Sequence, residues 1–302
     1  MNIFKSFCIA ISMYSRIPVP HFEWKEKDMK HAIIFFPLIG LLVGAAEYGV
    51  YYYFKEWDLP AMAAAVIMCV IPILITGGIH LDGFMDTSDA INSFGDKEKR
   101  LQILKDPHVG SFAIIRLVTL VGLFLAGVYM ILYYSFEGGL ISYSVDVFQE
   151  YNVIGMPEAP VAPYTIEELI VVWCLGFTLS RVMSAFSAVV LPSANKEGTL
   201  FRFSGRYTEK ALELERNNDK GGINKVSLVV LIIEEVAIIA AMLCINPAAG
   251  GVLTGTTLLV FMYYWMRGKK LFGGVTGDLA GWFLCLAELW MTILTAFMSV
   301  MA

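Results

Sequence analysis

Three aspartates, Asp82, Asp86 and Asp89, stand at i, i+4 and i+7 in a stretch that begins where a long apolar run ends. In a helix this spacing puts all three carboxylates on one face. Like charges one turn apart repel, so such a face is unfavourable unless a cation occupies it. Ser93 continues the same face, and the resulting hard, oxygen-rich surface suits Mg²⁺ or Mn²⁺ better than softer metals. Gly83, beside Asp82, is read as leaving room for a ligand to reach the backbone. A metal on carboxylates at a membrane–water boundary points to phosphate chemistry. The competing reading is a solvated acidic cap on a helix end, in which nothing offsets the repulsion.

Other residues could complete such a site. His80 precedes the cluster; alone, a boundary histidine is more often an interfacial polar residue than a base or ligand. Gly273-Gly274-Val275-Thr276-Gly277-Asp278 opens the last apolar span. Glycines before a helix N-terminus present backbone N–H groups to an anion, with the helix dipole adding to the attraction. No Walker lysine follows. Asp278 reads equally as an N-cap and as a metal or substrate ligand. Lys105, in Lys105-Asp106-Pro107-His108-Val109-Gly110-Ser111, is placed either to meet a phosphate or to anchor the interface. Arg181 and Glu288 lie at matched depth in two apolar spans, about 15 Å from one end at ~1.5 Å per residue. Ionisable groups that deep pair or line a cavity, and the matched depth favours a pair. Glu47, Glu234 and Glu235 also interrupt apolar spans. Lys196, Arg202 and Arg206 either set topology or together clamp a pyrophosphate.

The elements that must position these residues are membrane helices. The 302-residue chain is 57% apolar and only 16% charged, with mean hydropathy +0.66, where soluble domains carry about 25% charge. Seven spans are expected, near 31–54, 60–79, 110–134, 167–191, 226–246, 248–266 and 279–301. Segment 3–14 is too short to cross and reads as an interfacial or re-entrant helix, separated from the first span by the breakers Pro18 and Pro20. The fold class is therefore all-α, a polytopic helical bundle forming one domain over 1–302. Lysine and arginine crowd segments 1–30, 80–109, 192–225 and 267–270, whereas 135–166 has acidic residues and neither cation. By the positive-inside rule the N-terminus is cytoplasmic and the C-terminus outside. This places 1–30, 76–111, 192–225 and 267–278 on one cytoplasmic face. The five cysteines all lie in apolar stretches without a CxxC spacing and read as small buried hydrophobes. No signal-peptide cleavage pattern succeeds the first apolar stretch.

Gly77-Gly78-Ile79-His80-Leu81-Asp82-Gly83-Phe84-Met85-Asp86-Thr87-Ser88-Asp89 resembles the signature of the cobalamin synthase family, the adenosylcobinamide-GDP ribazoletransferases. Further pieces agree in order: Ser15-Arg16-Ile17-Pro18-Val19-Pro20 with Phe36-Pro37-Leu38-Ile39-Gly40, then Lys105-Asp106 through Phe112, Ser180-Arg181-Val182-Met183 through Pro192, and Gly273 to Asp278 with Glu288. The resemblance covers nearly the whole chain. Met85 stands where the family often has alanine, and the 135–166 loop is longer than usual. The family reaction joins α-ribazole, or its 5′-phosphate, to adenosylcobinamide-GDP with release of GMP. By this resemblance Asp82, Asp86 and Asp89 are expected to hold Mg²⁺ and substrate phosphate, with Asp278 as a further ligand or the base. Arg181, Lys105 and Arg16 are the implied phosphate contacts, beside His80 and the glycines Gly273, Gly274 and Gly277. The expected partners are these two small molecules and the lipid bilayer, with no nucleic acid. A homo-oligomer, or association with other corrinoid-pathway enzymes, is left open.

Two other readings compete. A CDP-alcohol phosphotransferase also places aspartates on membrane helices around an Asp-Gly core, but its pattern continues Ala-Arg where this chain has Asp86-Thr87. A cation-coupled transporter would use Glu47, Glu234 and Glu288 as pathway residues. Against it, the densest polar motifs sit at one face and no inverted repeat is visible.

Overall fold

A computed structural model describes residues 3–20, 31–137, 164–194 and 224–302. Most of the acidic loop 135–166 and of the basic loop 192–225, with Lys196, Arg202 and Arg206, lies outside them. Ten α-helices make up the described chain: α1 (Ile3–Tyr14), α2 (Phe36–Glu56, entered by a 3₁₀ turn at Ala32–Phe35), α3 (Ala61–Thr76), α4 (Ile79–Asn92), α5 (Lys97–Ile103), α6 (Ser111–Glu137), α7 (Ile166–Val190), α8 (Lys225–Ile245), α9 (Pro247–Leu271) and α10 (Gly277–Ser299). The all-α expectation holds, as does the short helix at the N-terminus.

Local chemistry sets where helices begin. Thr165 and Glu168 form a reciprocal capping box at α7, satisfying donors that the first turn leaves unpaired. Asn246 accepts from the amides of Ala248 and Ala249, and Pro247 occupies the first turn of α9, where its missing N–H costs nothing.

Among the described residues five helices are long and apolar enough to cross a membrane: Ala32–Glu56, Ser111–Phe136, Ile166–Val190, Lys225–Ile245 and Gly277–Ser299. The other two expected spans differ. The run near 60–79 is only 16 residues of α3 before the chain bends by 93° into α4. The run near 248–266 is a full 25-residue helix, but Gly250, Gly251, Thr254, Gly255, Thr256 and Thr257 dilute its apolar character.

Helix α7 is the axis of the bundle: its span is 83% buried, against 11% for α8 and 22% for α6. The outer helices turn apolar side chains such as Val118, Ile233 and Leu259 outward, as expected where lipid replaces water. Lipid tails give no hydrophobic drive for helices to pack, so close backbone approach matters more. Gly40 and Gly44, one turn apart on α2, lie against the carbonyls of Phe177 and Cys174 on α7, and a Cβ at either position would overlap them.

Two of the deep ionisable groups, Arg181 and Glu288, pair, whereas the buried carboxylate oxygens of Glu47 have no partner among the described residues. Arg181 Nη1 donates to Glu288 Oε1 at 2.6 Å and to the Phe177 carbonyl at 2.8 Å, and the Ser180 hydroxyl donates to the same carboxylate oxygen at 3.1 Å. The Arg181 and Glu288 side chains are 1% and 12% exposed. This joins α7 to α10 in the interior, reinforced by Trp173 Nε1 donating to Thr292 at 2.9 Å. Removing one member of such a pair strands the other, at a cost of about 3–5 kcal/mol, whereas replacing both with apolar groups is often neutral. Arg181→Met alone is therefore expected to lower thermal stability sharply in detergent, and Arg181→Met with Glu288→Leu to recover most of it. The double variant also checks the phosphate role expected of Arg181: retained turnover in the refolded protein would remove it from substrate contact.

Candidate active site

Two glycine pairs bring the acidic residues together. Gly77 and Gly78 adopt φ of 68° and 80°, a left-handed backbone that only glycine takes without strain. They turn the chain so that the polar helix α4 runs across the helix ends and does not continue the crossing. Arg16 supports this corner: its amide donates to the Ile75 carbonyl at 2.8 Å, and its side chain lies directly over Gly77. Further on, α4 crosses α10 backbone to backbone. A Cβ at Gly83 would stand 2.8 Å from Asp278 Cα, and one at Gly281 would stand 2.9 Å from the His80 carbonyl. Thus Gly83 makes room for α10, and the expectation that it opens space for a ligand is corrected. Because the backbones touch here, Asp82 and Asp86 on α4 flank Asp278 on α10.

The aspartates then divide. Asp82 is exposed, while Asp86 and Asp89 are half-buried. Asp86 feels its neighbours most. Desolvation, and after it the charges of Asp82, Asp278 and Asp89, push its carboxyl up to about 6, so a cation at this point would relieve repulsion from three directions. Asp89 has a different duty. Its Oδ2 accepts from the Gly110 amide at 2.7 Å and its Oδ1 from the Ala113 amide at 2.8 Å. Both oxygens thereby satisfy donors at the start of α6, where a helix has no partners of its own. A Cβ at Gly110 would collide with this carboxylate. The geometry makes Asp89 a positioning residue for α6, where a metal ligand was expected.

The glycine stretch also departs from expectation. Thr276 is the N-cap of α10, accepting from the Leu279 amide at 3.2 Å, so Asp278 falls in the first turn with its carboxylate released from capping. The Gly274 amide donates to the Gly268 carbonyl at 3.2 Å, and the Val275 amide to the Pro192 carbonyl at 2.9 Å. These two donors are engaged within the fold and are not offered to an anion. Gly274 is glycine because a Cβ there would meet the Pro192 and Ser193 backbone. Gly273 has φ 80°, and Gly277 stands open.

Lys97 is the residue that sequence reasoning did not single out. It occupies the first turn of α5, held there by Asp96, whose side chain accepts from the Lys99 amide. Its Nζ lies 4.0 Å from where a Cβ of Gly273 would be. No spacing in the sequence links 97 to 273; only the fold sets this cation beside the loop. Lys105 and Arg16 are exposed. Arg181, expected at a phosphate, is enclosed with Glu288. His80 Nε2 is buried with no hydrogen-bond partner among the described residues.

Among the described residues no three His, Cys, Asp or Glu side chains converge as a ready cage for a metal ion. Mg²⁺ seldom needs one, since it keeps several waters and binds through one or two carboxylates together with substrate phosphate. Hard oxygens on Asp82, Asp86 and Asp278, clustered tightly enough to perturb Asp86, fit that mode.

A family model described as Cobalamin-5-phosphate synthase matches residues 6–296. The chain belongs to this family. Proteins named adenosylcobinamide-GDP ribazoletransferase are similar to it over almost their whole length. The one from Lachnoclostridium phytofermentans is 36% identical, over 96% of this chain and 92% of that protein. One from Clostridium botulinum (strain Alaska E43) is 31% identical, over 95% of each. One from Clostridium perfringens (strain ATCC 13124) is 29% identical, over 95% of this chain and 96% of that protein. No solved structure matches. For a cobalamin-5-phosphate synthase family member, the readings as a CDP-alcohol phosphotransferase or a transporter are set aside.

Proposed function

We propose that this transferase closes the nucleotide loop of cobalamin, joining α-ribazole or α-ribazole 5′-phosphate to adenosylcobinamide-GDP. The observation that carries the reading is the approach of Asp82, Asp86 and Asp278 at the Gly83–Gly281 crossing, in a chain of this family. The ribazole 3′-hydroxyl attacks the phosphorus bonded to cobinamide. A new phosphoester bond forms, the pyrophosphate bridge breaks, and GMP leaves with the bridging oxygen. Asp82, Asp86 and Asp278 would hold Mg²⁺, which when bound neutralises charge on the pyrophosphate. Asp278, at the α10 N-terminus with its carboxylate released from capping, is assigned the proton of the attacking hydroxyl. Lys97, beside Gly273, Arg16 and Lys105 supply cations for the departing GMP. Segregation of lysine and arginine among the loops supports a cytoplasmic position for this face.

The test is direct. Purified protein in lipid vesicles is incubated with adenosylcobinamide-GDP, α-ribazole and Mg²⁺, and GMP and adenosylcobalamin are quantified. Equal amounts of both are expected, with loss on chelation and recovery on adding Mg²⁺. Absence of both products from folded protein would overturn the proposal.

A further inference from the structure

On the far side of α4 from the aspartates, a crevice of about 700 Å³ opens between α4, α6, α9 and α10. Phe84, Ser88 and Ile91 line it from α4, and at 3.6 residues per turn they lie on the face opposite Asp82, Asp86 and Asp89. It is thus separate from the acidic site. Its composition is graded. At the end nearest the acidic residues stand two guanidinium groups, Arg116 from the second turn of α6 and Arg267 from the last turns of α9. Beyond them the walls are apolar, with Leu259, Leu289, Trp290 and Leu294.

Among the described residues no carboxylate pairs with Arg116 or Arg267. Arg267 rests its guanidinium 5.5 Å from the centre of the Tyr263 ring, and its Nε is buried with no hydrogen-bond partner among the described residues. Two cations from different helices, converging on one crevice without an acidic partner among the described residues, are complementary to an anion. From Arg267 to Thr256, both lining the crevice, α9 rises about 16 Å at ~1.5 Å per residue. That is roughly the half-thickness of a ~30 Å hydrocarbon core. The mouth is flanked by outward-facing apolar side chains, with Leu123 47% and Leu259 69% exposed, which places the opening toward lipid and not toward water.

We propose that this crevice is a binding site for one anionic phospholipid, its phosphate held between Arg116 and Arg267 and one acyl chain laid along α9 and α10. Basic pockets between membrane helices are a recurrent solution for acidic headgroups. The apolar length selects a lipid over a soluble phosphate, because a soluble ion would leave the remaining wall uncovered.

The experiment uses the whole protein in phosphatidylcholine vesicles, titrated with phosphatidylglycerol carrying brominated acyl chains, which quench tryptophan on contact. Trp282 and Trp290 line the crevice. Saturable quenching is expected at concentrations roughly tenfold or more below those needed with brominated phosphatidylcholine. Arg116→Gln with Arg267→Gln should abolish that preference, and Arg116→Lys with Arg267→Lys should keep most of it. Lys269→Gln with Lys270→Gln, which removes charges at the same helix end outside the crevice, should leave it unchanged. If the paired glutamine variant does not fold, Trp290→Phe in the otherwise native protein decides: the quenched amplitude falls if the chain lies there. An unchanged amplitude would overturn the site. Equal loss in the Lys269/Lys270 variant would mean general surface attraction and would likewise overturn it, as would displacement of the lipid by inorganic phosphate. None of these readouts depends on turnover, so the site stands or falls apart from the proposed reaction.

Discussion

Asp82→Asn is expected to lower ribazole transfer by at least ~10²–10³-fold while leaving the protein folded and inserted. The magnitude is that of removing one group that stabilises developing charge in a site of this kind, about 3–4 kcal/mol of barrier. The substitution keeps the shape of the side chain and removes only its charge. Asp82 is exposed, and substitutions at such positions usually change stability by no more than about 0.5 kcal/mol. Here the sign even favours the variant in the absence of metal, because Asp82 is the largest source of charge repulsion on Asp86. Loss of function with unchanged or improved thermal stability therefore separates a role in the site from a role in the fold. The measurement is the initial rate of GMP release at excess Mg²⁺, with a melting curve on the same preparation. Near-native rates would remove Asp82 from the site. Asp89→Asn should show the opposite balance, since its oxygens hold the Gly110 and Ala113 amides and hydrogen bonds to a charged group contribute about 1.5–3 kcal/mol each.

The second large effect is expected from a single added methyl group. In Gly83→Ala the new Cβ would lie 2.8 Å from Asp278 Cα and 2.9 Å from its carbonyl oxygen. Both neighbours are backbone atoms in the first turn of a helix, so no flexible side chain can swing aside. Either α4 or α10 must move. Overpacking of this kind costs about 1–3 kcal/mol, and the displacement falls between Asp82 and Asp86 on one helix and Asp278 on the other. A shift near 1 Å in groups that must act together costs roughly 10²-fold in rate. Turnover is thus expected to fall far more than stability. Gly122→Ala is the control, since a Cβ there meets nothing within 4 Å. It should leave both quantities unchanged. Equal activity in the Gly83 and Gly122 variants would refute the view that this crossing assembles the site.

Much of the architecture was legible because membrane helices announce themselves locally. A lipid-spanning segment must satisfy its own backbone hydrogen bonds and turn apolar groups outward, and both demands are written in composition. The α1, α2, α6, α7, α8 and α10 helices fall close to their expected positions. What misled was the Gly77-Gly78 pair, read within a motif but not as a corner. The Arg181–Glu288 contact was anticipated from depth alone, since two unlike charges at one level in a low-dielectric bundle are strongly favoured to meet. The duty of Asp89 was not legible. Its partners are backbone amides at 110 and 113, and an amide has no side-chain signature that could reveal it.

The residue order by itself determined that this chain is a helical membrane protein of the cobalamin-5-phosphate synthase family, with a carboxylate face at the end of a span. Those conclusions rest on composition, on period and on motif identity, all of which are local or ordered along the chain. Only the tertiary structure decided which carboxylates lie together. Asp82 and Asp278 are almost two hundred residues apart, and they meet because two glycines let the backbones of α4 and α10 touch. The same crossing assigns Gly83 to packing, while Thr276 takes the cap of α10 and Asp89 accepts from the Gly110 and Ala113 amides at the start of α6. Spacing along one helix can propose a shared face; which neighbour that face meets depends on the helix packed against it.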